Sequence, residues 1–158
     1  MELNEALSVA IGKRIRARRS HCYHNAFRAL DHLPSAVYVE GIAVRSSTGD
    51  NPPMPIEHGW LEHEGAIVDP SLRLLGGADR MVGYCPGLRF TGAELFEALR
   101  TVPKGKESDD LPIFYRFGWG GGDSAGMVAA WIAAYELMGV EVPPMWRESL
   151  AKLRARGA

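Results

Sequence analysis

The chain has 158 residues, with 18 Lys plus Arg against 19 Asp plus Glu, 46% apolar residues and 23% charged ones. That composition excludes a disordered, collagenous or coiled-coil chain, and a length of this kind lets roughly two thirds of the unfolded surface be buried without disulfide staples. A formal net charge of -1 supplies no global field for nucleic acid or an acidic membrane, so any charge-driven contact has to be local.

Leu3, Leu7, Ile11 and Ile15 recur every fourth residue, with Glu2 and Glu5 at the start and Lys13, Arg14, Arg16, Arg18 and Arg19 at the end. This predicts an amphipathic helix whose charges match its dipole, the simpler account of the basic cluster, with contact to phosphate or an acidic partner as the alternative. A second helix is expected from Cys22 to Leu30, capped by Ser20 and stopped by Pro34, so Cys22 falls in its first turn. Ala36 to Val44 is β-branched and aromatic and reads as a strand, with Gly41 as a bulge. Arg45 to Pro55 is rich in Gly, Pro, Ser and Asp and reads as a loop.

Ile56 to His63 and Ala66 to Asp69 flank Glu64-Gly65, the pattern of a hairpin with a two-residue turn. Beyond Gly76-Gly77, the segment Tyr84 to Phe90 predicts a short strand broken by Pro86. Thr91 and Glu94 form a capping box for a helix to Thr101, and Pro103 to Asp110 reads as a polar loop. Leu111 to Phe117 reads as a strand, residues 119–124 as a turn, and the apolar run to Met138 as a buried helix. Pro143-Pro144 opens a last helix ending near Arg156. No repeat or linker divides the chain, so a single α+β domain over residues 1–158 is expected, with the Cys22 helix on an antiparallel sheet and the C-terminal helices covering it.

Placed on these elements, three residues acquire a common chemistry. A thiol attacks as its thiolate, which a helix N-terminus and an imidazolium favour, and Cys22 has the first of these directly. An imidazole needs an acceptor on its far nitrogen to fix tautomer and orientation. With Glu64 and Gly65 as the turn, His63 faces Ala66, Asp69 faces Trp60, and His58 lies one diagonal step away on the same face, within side-chain reach of Asp69.

The run Cys22-Tyr23-His24-Asn25-Ala26, then Tyr38-Val39-Glu40-Gly41, Glu57-His58-Gly59-Trp60 and Val68-Asp69-Pro70-Ser71 resembles the papain-like cysteine fold in its transglutaminase-like form. The resemblance covers Ser20 to Phe90. It implies Cys22 as nucleophile, His58 as general base and acid, and Asp69 as the group that orients His58. It also implies a papain-like fold and a family of amidases, peptidases, amide-crosslinking enzymes and arylamine acetyltransferases, together with members that have lost activity. The chain departs from the pattern in a short His58 to Asp69 interval and in having Arg16 where papain-like peptidases place an oxyanion-binding glutamine. The backbone amide of Cys22 is left to serve as oxyanion donor.

Around the three, Trp60 reads as a shield over the His-Asp contact or as core, Glu40 and Glu57 as cleft carboxylates or an exposed strand face, and Asn25 as a neighbour of the nucleophile or a local backbone partner. Cys85, beside Pro86, reads as a packed thiol. His21, Cys22, His24 and His63 match no standard zinc spacing. Gly120, Gly122 and Ala125 imitate a dinucleotide fingerprint but lack its second strand. The expectation is therefore thiol acyl chemistry, a cysteine hydrolase or acyltransferase acting on a peptide, protein or small amide. No metal or organic cofactor, nucleic acid or membrane is expected. The competing reading is an inactive papain-like scaffold that uses its groove for binding. Two cysteines without a secreted disulfide pattern, no signal-like N-terminus and no apolar run longer than Gly126 to Tyr135 point to reduced thiols and a cytoplasmic setting.

Overall fold

A computed structural model of the chain describes residues 1–47, 52–101, 112–117, 122 and 124–157. Its class is α+β. In chain order the elements are β1 (Glu2–Leu3), α1 (Glu5–Arg14), α2 (Cys22–Ala29), β2 (Val37–Arg45), β3 (Met54–His63), β4 (Ala66–Val68), β5 (Met81–Phe90), α3 (Gly92–Arg100), α4 (Ala125–Leu137) and α5 (Pro144–Ala155). Short 3-10 turns occupy Leu72–Leu75, Ala78–Arg80 and Ile113–Phe117. Among the described residues no helix is long and apolar enough to cross a membrane.

The strands hydrogen-bond in the order β1-β4-β3-β2-β5. The sheet is mixed where antiparallel pairing was expected, because Glu2 and Leu3 leave the first helical stripe and pair in parallel with Ala66 and Ile67. Asn4 then caps α1, its side chain accepting the amide of Leu7 at 3.0 Å. The β3–β4 hairpin has the expected register, with Leu61 opposite Val68, Glu62 opposite Ile67 and His63 opposite Ala66. Glu64 and Gly65 both take positive φ, 50° and 77°, the mirror-image turn whose twist suits a two-residue hairpin.

Contacts divide the chain into two compact units. The first comprises Met1–Glu40, His58–Asp79 and Arg89–Ile113. Its interior holds Tyr38, Val39, Trp60, Leu61, Val68 and Leu72, all essentially inaccessible, together with Ala26 and Ala29 from α2. Arg89 grips Glu62 with two hydrogen bonds, of 3.0 and 3.2 Å. The capping box at Thr91 and Glu94 is formed as expected and starts α3.

The second unit comprises Gly41–Glu57, Arg80–Leu88 and Phe114–Ala158. Here α4 and α5 share a core of Val128, Ile132, Val142 and Leu153, and Trp131 stacks on Trp146 with ring centroids 5.9 Å apart. Ser124 caps α4 through the amide of Met127.

Three further expectations are corrected. β5 runs unbroken through Pro86, because it ends the strand order and an edge strand tolerates a residue without an N–H. Ile113–Phe117 is a 3-10 turn rather than a strand; a short run of apolar and aromatic residues does not by itself separate the two. Ser20 does not cap α2: it takes φ 61°, and His21 is the cap residue, its ring 2.8 Å from the Arg19 carbonyl oxygen and not bonded to the helix amides. The polar loop at Pro103 to Asp110, the tip of the Arg45 to Pro55 loop and most of the Trp119 to Ser124 turn, with Gly120 of the dinucleotide-like pattern, lie outside the described residues.

Candidate active site

Helix α2 begins at Cys22, so the backbone N–H of Cys22 belongs to the first turn, where the helix has no carbonyl to receive it. The approach to this helix is tightly turned, Arg16 and Ser20 both lying in the left-handed region. The side chain of Asn25 clamps that turn. Its oxygen accepts the amide of Arg18 at 3.0 Å, and its nitrogen donates to the Arg18 carbonyl at 2.8 Å and to Ser71 Oγ at 2.9 Å.

On the hairpin, His58 Nε2 lies 2.9 Å from Asp69 Oδ2, both side chains fully buried. The diagonal placement inferred from the turn is therefore the contact that forms. The other carboxylate oxygen, Oδ1, accepts the amide of Ser71 at 2.8 Å, and the Asp69 amide donates to Ser8 Oγ at 2.9 Å. The charged His58 ring also donates a side-chain hydrogen bond to the Cys22 sulfur. With Nε2 facing Asp69, Nδ1 is the ring nitrogen left for the sulfur. Cys22, His58 and Asp69 thus stand in one hydrogen-bonded row, and Cys22 remains half-buried while the other two are closed off.

The close approach depends on Gly59. A Cβ at this position would lie 2.7 Å from Tyr23 Cδ1 and 3.0 Å from Tyr23 Cα, distances that a real side chain does not tolerate. The residue beside the imidazole is therefore bare where the first turn of α2 meets β3.

Burial by itself would lower the His58 pKa, but the charge and hydrogen bond of Asp69, followed by those of Cys22, outweigh it and raise the value from 6.5 to about 10. The ring is thus an imidazolium at neutral pH. Trp60 lies nearly parallel to it, with centroids 6.3 Å apart and an interplanar angle of 18°, and is itself completely buried. An apolar wall of this kind keeps water from weakening the ion pair.

The other expected neighbours divide by accessibility. Glu40 is fully buried and accepts the Tyr38 hydroxyl and the amide of Ile113, each at 2.8 Å. Burial, reinforced by the charge of Glu40, holds the Tyr38 hydroxyl well above its usual pKa. Asn25 is equally buried and bonded into the fold. Asn25 is thus the local backbone partner that was one of its two readings, and Glu40 is not on an exposed strand face. Glu57, in the second unit, accepts the Tyr115 hydroxyl at 3.0 Å.

Two supports went unread in the sequence, Ser8 and Ser71. Asp69-Pro70-Ser71 carries the pattern of an Asx turn, in which an Asp accepts the amide two residues on, and that signal was available for Ser71. Nothing local marks Ser8, whose bond to Asp69 spans 61 positions. Cys85 is buried, and burial pushes its thiol from an ordinary 9.0 to about 11. Among the described residues, no three His, Cys, Asp or Glu side chains are grouped so as to hold a metal ion. Comparison with protein-family models, curated proteins and solved structures gave no match.

Proposed function

We propose that the chain carries out thiol acyl chemistry as a papain-like enzyme of transglutaminase-like form, with Cys22 as nucleophile, His58 as proton carrier and Asp69 as its orienting acceptor. The observation that carries this reading is the hydrogen-bonded row from the half-buried Cys22 through His58 to Asp69. The Cys22 thiolate attacks the carbonyl carbon of an amide, forming a C–S bond and moving the carbonyl electron pair onto oxygen. The N–H of Cys22 at the head of α2 donates to that oxyanion. Collapse breaks the C–N bond as the His58 imidazolium gives its proton to the leaving amine. Neutral His58 then takes a proton from water or from an acceptor amine as it attacks the thioester. The C–S bond breaks, returning the thiolate and the imidazolium.

Peptide, protein and small amides share this chemistry, and water or an amine as the second attacker separates hydrolysis from transfer. The test is alkylation with iodoacetamide at neutral pH, followed residue by residue by mass spectrometry. Cys22 is expected to react at least about tenfold faster than Cys85, and His58→Ala to remove most of that advantage. An activated acetyl ester should leave an acetyl group on Cys22. Equally slow labelling of the two cysteines, with no acetylated Cys22, would overturn the proposal and leave a binding scaffold.

A further inference from the structure

A cavity of about 350 Å³ lies in the first unit, between the end of α1 and the segment after Asp69. Ser8, Lys13, Arg16, Pro70, Arg73 and Leu74 line it. Its volume falls within the range of small-molecule sites, about 300–1,000 Å³. Lys13 lies in the last turn of α1 and Arg16 just past its C-cap Ile15, where helix-dipole compensation accounts for a cation. Arg73 comes from a different element, the 3-10 turn Leu72–Leu75, and the dipole of α1 does not account for it.

Three cations therefore converge on one cavity whose lining contains no Asp or Glu. Among the described residues, none of the three takes part in an ion pair. All three are solvent-exposed, and their common sign favours an anion in the cavity. Arg16 also leaves the helix at φ 51°, a conformation that costs a non-glycine residue on the order of 1 kcal/mol. The wall below is firm. A Cβ on Gly12 would collide with the Pro70 carbonyl oxygen, so α1 rests directly on the Pro70 backbone.

We propose that this cavity is a binding site for a phosphate monoester carrying a small apolar body. Two guanidinium forks and an ammonium match a dianionic headgroup, since charge-assisted bonds from arginine to phosphate oxygens are among the stronger and more directional ones available. Leu74 and Pro70 supply an apolar wall for the remainder of the ligand. The site is independent of the acyl chemistry proposed above. It shares with it one structural part, Ser8, which lines the cavity and also holds the Asp69 amide.

The test is calorimetric titration of the full chain with phenyl phosphate at constant ionic strength. Saturable one-site binding is expected, weakened about tenfold or more by Lys13→Glu and by Arg73→Gln, a loss of about 1.4 kcal/mol each. Arg14→Glu, which alters a neighbouring cation outside the cavity, should leave the affinity unchanged, and benzoate, with one charge on the same ring, should bind more weakly. The melting temperature of each ligand-free variant verifies that it is folded. No saturable binding of millimolar phenyl phosphate would overturn the proposal. So would equal weakening by Arg14→Glu, or benzoate binding as tightly as the phosphate.

Discussion

Asp69 engages every polar group it has: one carboxylate oxygen with His58, the other with the amide of Ser71, its own amide with Ser8 and its carbonyl with the amide of Leu72. A carboxylate anchored in this way holds the imidazole in one tautomer and one orientation, and its charge outweighs the burial that would otherwise neutralise the ring. Asp69→Asn keeps the shape and removes that charge. The expected result is a His58 pKa lowered toward or below its ordinary value and a Cys22 alkylation rate reduced by about tenfold or more, measured by imidazole NMR titration and by labelling. Asn25 is the second fixed point, bonded both to the Arg18 turn and to Ser71. Asn25→Ala leaves the Arg18 amide and carbonyl without this partner and is expected to cost about 1–3 kcal/mol in urea unfolding. The sequence drew attention to Asn25 because it follows Cys22 by less than one helical turn. Its bonding to nearby backbone, at Arg18, was one of the two readings open in the sequence, whereas its bond to Ser71, 46 positions away, was not legible.

Where the first turn of α2 presses Tyr23 against strand β3, the strand residue is bare, Gly59. Gly59→Ala would force Tyr23, and with it the start of α2, away from the strand that carries His58. The variant is expected to lose about 1–3 kcal/mol of stability from overpacking and to alkylate Cys22 more slowly, while Cys85 labelling stays unchanged as long as the chain is folded. The hairpin was the most legible element. A two-residue turn fixes every cross-strand pair, and the observed partners follow the count made from Glu64-Gly65. β1 was illegible for the opposite reason, because two residues carry no period and only the waiting edge of β4 makes Glu2–Leu3 a strand. Pro86 misled because its effect depends on position within the sheet, an edge in this case, and not on its neighbours in sequence.

For the molecule as a whole, the raised His58 pKa is also a statement about stability. A histidine whose folded-state pKa lies above its unfolded value contributes fully below about pH 6.5, and that contribution is lost as the pH rises through about 10. Unfolding free energy measured in urea should therefore decline from pH 6.5 to pH 10, by an amount on the order of a few kcal/mol, and a His58→Gln variant should show a flatter profile over the same range. An unchanged slope in the variant would mean that other groups govern the decline. Composition said only that an ordinary, nearly neutral chain carried two thiols. The fold makes them chemically unlike: Cys22 half-buried and hydrogen-bonded to an imidazolium, Cys85 enclosed and held as a thiol by burial.

The hairpin turn also sets an order in time. His58 and Asp69 are 11 positions apart and joined by a turn that closes on its own, whereas the bond from Asn25 to Ser71 closes a loop of 46. Hairpins form in about 1–10 μs, and longer loops carry a larger entropic cost of closure. The contact between His58 and Asp69 therefore has the smaller closure cost and is expected to form ahead of the docking of α2, which carries Cys22.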